Sequence, residues 1–408
     1  MSTFEGSSVK SSIFLLKDGF SLQGIRFFAL FLIFFAFFIF YPNKATAQSE
    51  FDDFSDAVGQ DNFNIDTSNF GNPLQFLADV LIEVSSGTIK GLTGANSFTF
   101  DGINHTTGFR LDGALPPTAI YPLVFFFHNF VFENFYGMGA VWTFNSTANF
   151  IDGDVIFTLN TGNNSNTGAI SVNEDSEASF LNSKVSFTNN KSGGDGGAIS
   201  AEGSSLFSFS NSSASFIDNS ASDSGGAAAV YDSSRFNSYL STITFEHNIA
   251  DGSGGAIFVN SNSRFDLSNS LIIFTGNSAT DSGGAIFVNN NSRFDLSNST
   301  VIFTGNSAPK GGAVAASGNS IFNVSNSRIS FTGNIGVYSG AIYAIAGANF
   351  SFANSSVSFT NNAIAIYSSA SFWTFSDSIV SFTSNAKSGN IGALSASYGS
   401  SFIFSNST

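Results

Sequence analysis

The side chains best suited to chemistry in this chain are carboxylates. Asp223, Asp251 and Asp281 each fall just ahead of a Gly-Gly pair, and stacked loop carboxylates offer the clustered oxygen ligands that Ca²⁺ favours. Asp is also an ordinary turn residue, and the Gly-Gly-x-Gly-x-Asp calcium repeat is missing. Glu174, Asp175 and Glu177 form a second group. Hydrolysis of a glycosidic bond needs two carboxyls about 5–10 Å apart on one face, whereas these three share one turn. His105, His128 and His247 are far apart and have no partner pattern. A polysaccharide lyase would want basic residues, and the chain has 14 Lys+Arg against 29 Asp+Glu, with no cysteine. No nucleophile, base and orienting group can be assembled, so the sequence predicts no catalytic residue, no metal site and no cofactor. Arg235, Arg264 and Arg293, beside Asp266 and Asp295, read as exposed ion pairs that set register rather than bind a ligand.

The elements that would position these groups repeat. Gly254-Gly255-Ala256-Ile257 and Phe274-Thr275-Gly276-Asn277 recur as Gly283-Gly284-Ala285-Ile286 and Phe303-Thr304-Gly305-Asn306, 29 residues on. The glycine pair is also found at Gly196-Gly197, Gly225-Gly226 and Gly311-Gly312, and the asparagine at Asn190, Asn219, Asn248 and Asn334. Between them lie three short pieces in which apolar residues alternate: Ile257 and Val259, Phe265 and Leu267, Ile272 and Phe274. Period two with β-branched and aromatic inward slots marks strands buried on one face. Three such strands per period, joined by Gly, Asn, Ser and Asp turns, predict an all-β fold, a right-handed parallel β-helix of about nine to ten coils. At about 4.8 Å per coil it is a rod on the order of 45 Å long. The glycines and asparagines are then structural: Gly for freedom or close approach, Asn for turns that tolerate the left-handed region and for amide stacking. What can vary is the outward slot between paired inward residues. Phe258, Phe287 and Tyr343 occupy it and form the candidate binding surface.

The N-terminus reads as an export signal. Lys10, Lys17 and Arg26 precede an unbroken apolar run from Phe27 to Phe40, and Ala45-Thr46-Ala47 supplies a small-x-small cleavage site, with the cut after Ala47. The run is too short to cross a bilayer as a helix. The expected organisation is a signal peptide over 1–47, an acidic leader over 48–75, an end cap over 76–121 and the β-helix over 122–408. A net charge of −15 argues against nucleic acid as a partner.

On the paired Gly-Gly-Ala-Ile and Phe-x-x-Asn motifs, over about residues 124–408, the chain resembles the polymorphic outer membrane proteins of chlamydiae. The resemblance implies an autotransporter-type β-helical passenger, displayed at the outer membrane and acting as an adhesin toward a host-cell or matrix surface, without catalysis. Members end in a membrane-inserted barrel. Here Phe402 and Phe404 read as the second strand of a coil, so membrane attachment is expected only through a missing or separate anchor. Two alternatives stand beside this reading: a carbohydrate-active enzyme on a pectin-lyase-like β-helix, and a shortened passenger parted from its translocator barrel.

Overall fold

The computed structural model describes residues 130–137, 139–163, 167–385 and 392–408 in full, and strand backbones alone between 63 and 128. These residues belong to the unit Asp56–Thr408. The stretch read as a signal peptide, with its expected cut after Ala47, lies outside the described residues, as does His105; of His128 only the backbone is described.

The described residues form strands and turns with no helix, wound as a parallel β-solenoid. One coil shows the plan. Ile257–Val259 lies in a first sheet, Arg264–Ser268 in a second, Leu271–Thr275 in a third, and the two-residue strand Ser278–Ala279 in a short fourth. Each strand pairs in parallel with its counterpart one coil away, as in Ile257↔Ile286, Phe265↔Phe294 and Phe274↔Phe303. Among the described residues the sheets hold 12, 13, 12 and 6 strands in that order. Strand backbones at Phe63–Asp66, Leu74–Gln75 and Val80–Ile82 already pair into the first three sheets, which therefore extend into the stretches read as leader and cap. Register there is uneven: Phe63 pairs with Gly87, Gly87 with Phe125, and Phe125 with Ala148. A fixed period cannot appear in sequence where successive coils differ so much in length.

The inward slots fill the interior. The third sheet contributes a column running Phe132, Phe157, Phe187, Phe216, Phe245, Phe274, Phe303, Phe331, Phe359 and Phe382. From Phe245 to Phe303 the ring centroids stand 4.9 Å apart and within 7° of parallel. The strand spacing of a parallel sheet imposes this stacking distance, which is also favourable for offset aromatic rings. The second sheet stacks Phe236, Phe265, Phe294, Phe322, Phe350 and Trp373. Ile257, Ile286, Val314 and Ile342 line the first sheet, fully buried.

Candidate interaction surface

The buried asparagines sit at the corner where the third sheet gives way to the short fourth. Asn277 is fully buried there. Its Nδ2 donates to the Phe245 carbonyl at 2.9 Å and to Asn306 Oδ1 at 3.0 Å, and its backbone N–H donates to the same Oδ1 at 3.0 Å. In turn its Oδ1 accepts from the backbone N–H and Nδ2 of Asn248. The same pattern links Asn160, Asn190, Asn219, Asn248, Asn277, Asn306, Asn334, Asn362 and Asn385. The amide stacking expected of this row is present, but the left-handed geometry is not its own. That falls on the residue before: Asn189, Asp218, His247, Gly276 and Gly305 have φ between 53° and 63°. His247 thus fills a turn position, 3.9 Å from Asp218 and Glu246.

The glycine pair divides its labour. Gly283 has φ +63°, and a methyl group on Gly284 would be driven into the backbone of Gly312 and Ser307 in the next coil. Between the second and third sheets runs a buried serine row that sequence reading missed. Ser212 Oγ accepts the Ser183 N–H and donates to the Ser210 carbonyl; Ser241, Ser270, Ser299, Ser327, Ser355 and Ser378 continue the row. In a serine-rich chain this row has no distinguishing composition.

The acidic candidates do not converge. Lys310 Nζ sits 2.6 Å from Asp281 Oδ1, and among the described residues there is no group of three or more His, Cys, Asp or Glu side chains that could hold a metal. Glu174 and Asp175 take successive left-handed positions in one turn, with φ 50° and 57°. Tyr231 donates to Glu202 Oε2 at 3.1 Å, and burial together with this carboxylate pushes its phenol up to about 12, so it stays protonated and a poor nucleophile. On the outer face of the second sheet, Arg264 reaches both Asp266 and Asp295, and Arg293 reaches Asp295. Burial raises the Asp266 carboxyl despite its Arg264 neighbour. Asp295 is held low because hydrogen bonds from Arg293, Asn323 and Arg264 outweigh its burial. The difference is geometric: Arg264 gives Asp295 a 2.8 Å hydrogen bond, while Asp266 Oδ1 has no hydrogen-bond partner.

A pH dependence follows. Burial raises the carboxyls of Glu177, Asp195 and Asp266, so the folded chain binds their protons more tightly than the unfolded chain. Their effect is to increase stability as pH falls from neutrality toward the ordinary carboxylate range near about 4. Asp281, held low chiefly by Lys310, and Asp295 act oppositely, and their contribution is lost at still lower pH. Melting temperature should therefore rise as pH falls from neutrality toward the ordinary carboxylate range and fall again below that range; a steady fall across the whole descent from neutrality would contradict the assignment.

The outward column of the first sheet reads Trp142, Ser171, Ser200, Ala229, Phe258, Phe287, Ala315, Tyr343, Tyr367 and Ser395. Phe258, Phe287 and Tyr343 are brought onto one face but do not stand free. Phe258 stacks on Phe287 at 5.9 Å, and Tyr343 on Tyr367 at 5.0 Å. All three rings are half-buried, because the Gly-Gly turn of one coil packs against the column of the next: a methyl on Gly311 would come within 3.1 Å of Tyr343 Cβ. The more exposed apolar side chains lie beside them. Ile335, Val337 and Tyr338, 60%, 60% and 50% exposed, occupy the turn that is Ser278, Thr280 and Asp281 two coils earlier. Tyr338 approaches Tyr343 and Tyr367 at 6.0 and 6.4 Å, so the turn and this end of the column form one apolar patch, parted from the Phe258–Phe287 pair by the buried Ala315. Sequence reading missed Tyr338 and Tyr367; a polar turn replaced by Ile-Gly-Val-Tyr was the available signal.

The fold and its buried ladders define a structural class, a solenoid whose repeating residues build coils and whose individuality is confined to outward slots and turns. Within that class, the Chlamydia polymorphic membrane protein repeat matches residues 184–202, 242–260, 271–289 and 300–317. The chain carries this repeat, and each match covers one unit: a third-sheet strand, its ladder asparagine, the turn, the glycine pair and the first-sheet strand. No curated protein and no solved structure matches the chain.

Proposed function

We propose that this chain is the β-helical passenger of an exported protein of the bacterial outer membrane or cell surface, and that it acts by adhesion to a host-cell or matrix surface rather than by catalysis. The repeat, named for a membrane protein, supports surface display. Adhesion rests on one observation, the apolar patch of Ile335, Val337 and Tyr338 joined to Tyr343 and Tyr367, with the stacked pair Phe258 and Phe287 in the same outward column. Exposed apolar side chains gathered in this way are a common feature of contact surfaces.

The column supplies its own control. Ser171 and Ser200 hold the same slot in earlier coils, so serine is compatible with the fold there. Beads coated with the protein should bind host cells or extracellular matrix above an albumin control. The combined F258S, F287S and Y343S variant should lose most of that binding while keeping its β-sheet circular dichroism. Equal binding by the folded variant would move the contact elsewhere on the rod.

A further inference from the structure

We propose that Tyr343 and Tyr367 are a site of oxidative cross-linking, joining to form dityrosine between adjacent coils. The two residues are direct partners in the first sheet, with rings 5.0 Å apart and 13° from parallel. Tyr338 completes a triangle, 6.0 Å from Tyr343 and 6.4 Å from Tyr367, and is the most exposed of the three. Three of the chain's nine tyrosines are thus gathered at one place. Strand pairing holds the Tyr343 and Tyr367 rings face to face, which replaces the encounter of two separate radicals with a prepaid contact.

The reaction needs an outside oxidant, hydrogen peroxide acting through a haem peroxidase. Each phenol loses one electron and its hydroxyl proton. The two phenoxyl radicals join through the ring carbons beside their oxygens, and both rings regain aromaticity as the hydrogens on those carbons move to the oxygens. The protein loses two hydrogen atoms in all, and one peroxide takes up two electrons and two protons to give two waters. Tyr338, at the surface, receives the oxidising hole first and passes it inward. The chain has no cysteine and two methionines, so no thiol is present to quench the radical and no disulfide can staple the coils. The cross-link would tie strand Ile342–Ile345 to strand Ile366–Ser369, serving as a covalent staple in a protein that has no other.

The full chain, treated with hydrogen peroxide and a haem peroxidase at low protein concentration, should remain monomeric, gain blue dityrosine fluorescence and lose the mass of two hydrogens. Chymotryptic peptides should join Tyr343 to Tyr367. Y343F and Y367F should each abolish that linked peptide, while Y338F should slow its formation without changing the residues joined. An unchanged monomer mass, a link mapped to any other pair, or dimers as the sole product would overturn the proposal. Tyrosine fluorescence and circular dichroism of the untreated variants exclude misfolding, since phenylalanine already fills this column at Phe258 and Phe287.

Discussion

Replacing Asn277 with alanine is expected to destabilise the protein by roughly 3–6 kcal/mol, far more than an average substitution. The side chain serves five hydrogen bonds together with its backbone N–H, all within a corner that is fully buried. Alanine keeps the N–H to Asn306 Oδ1 but strands the Asn248 N–H, takes one of two acceptors from Asn248 Nδ2, which keeps the Phe216 carbonyl, and removes the Nδ2 donor from the Phe245 carbonyl and Asn306 Oδ1. A buried polar group left without a partner costs about 1–3 kcal/mol. Because each coil contacts its neighbours alone, the loss should open the structure locally rather than melt it as a whole. Hydrogen exchange should therefore rise at the amides of Phe245–Ile249 and Phe274–Ser278 and stay near wild type several coils away.

Asn277→Asp separates hydrogen bonding from size. The carboxylate keeps an acceptor for Asn248 but turns negative oxygens toward Asn306 Oδ1 and the Phe245 carbonyl, where Nδ2 had donated. Burial and these acceptors raise its folded pKa, so the folded chain prefers the protonated acid, which has one donor to offer. Stability should recover as pH falls from neutrality toward the ordinary carboxylate range, whereas Asn277→Ala should show only the background pH profile. Identical pH profiles for the two variants would mean that the ladder is not held by its amide donors.

How much of this could be read from sequence depends on what constrains each residue. Inward Phe274 and Ile257 were legible because the core tolerates only apolar residues at period two. Asn277 was legible as a ladder because a carboxamide both donates twice and accepts twice, and asparagine recurs at the coil spacing. The left-handed position beside it was obscured because Leu159, Asn189, Asp218, His247, Gly276 and Ser384 all occupy it, each able to adopt φ near 50–60°. The serine row was masked by composition, and the early coils by unequal length. Tyr338 was hidden for another reason: it lies on a turn, and only three-dimensional packing sets it against Tyr343 and Tyr367. The candidate surface therefore emerged half from sequence and half from the fold, since alternation identifies what points outward but not what then lies on top of it.

The second large effect is expected at Gly284. Its φ lies in the region open to any residue, so alanine there would pay nothing for backbone conformation. The whole cost is space: the added methyl would collide with the Gly312 carbonyl oxygen and lie 2.6 Å from backbone atoms of Ser307. Neither neighbour is a side chain that can swing away. Relief requires parting two coils and weakening the Gly284 N–H bond to the Gly311 carbonyl and the Ala285 N–H bond to the Ala313 carbonyl. Gly284→Ala should cost at least about 3 kcal/mol, the upper range for overpacking, since backbone rather than side chains must yield. Gly305 makes the contrast. It has φ +63° with nothing within 4 Å of an added Cβ, and Asn189 and Asn361 hold the same turn at φ 54°. Gly305→Asn should leave stability within about 0.5 kcal/mol of wild type, as for a surface change compatible with its backbone. Urea unfolding with limited proteolysis would check the pair: early cleavage near 278–287 and 307–313 in Gly284→Ala, and a wild-type pattern in Gly305→Asn. Comparable stability of the two variants would show that the coils are not packed as closely as the second glycine of each pair requires.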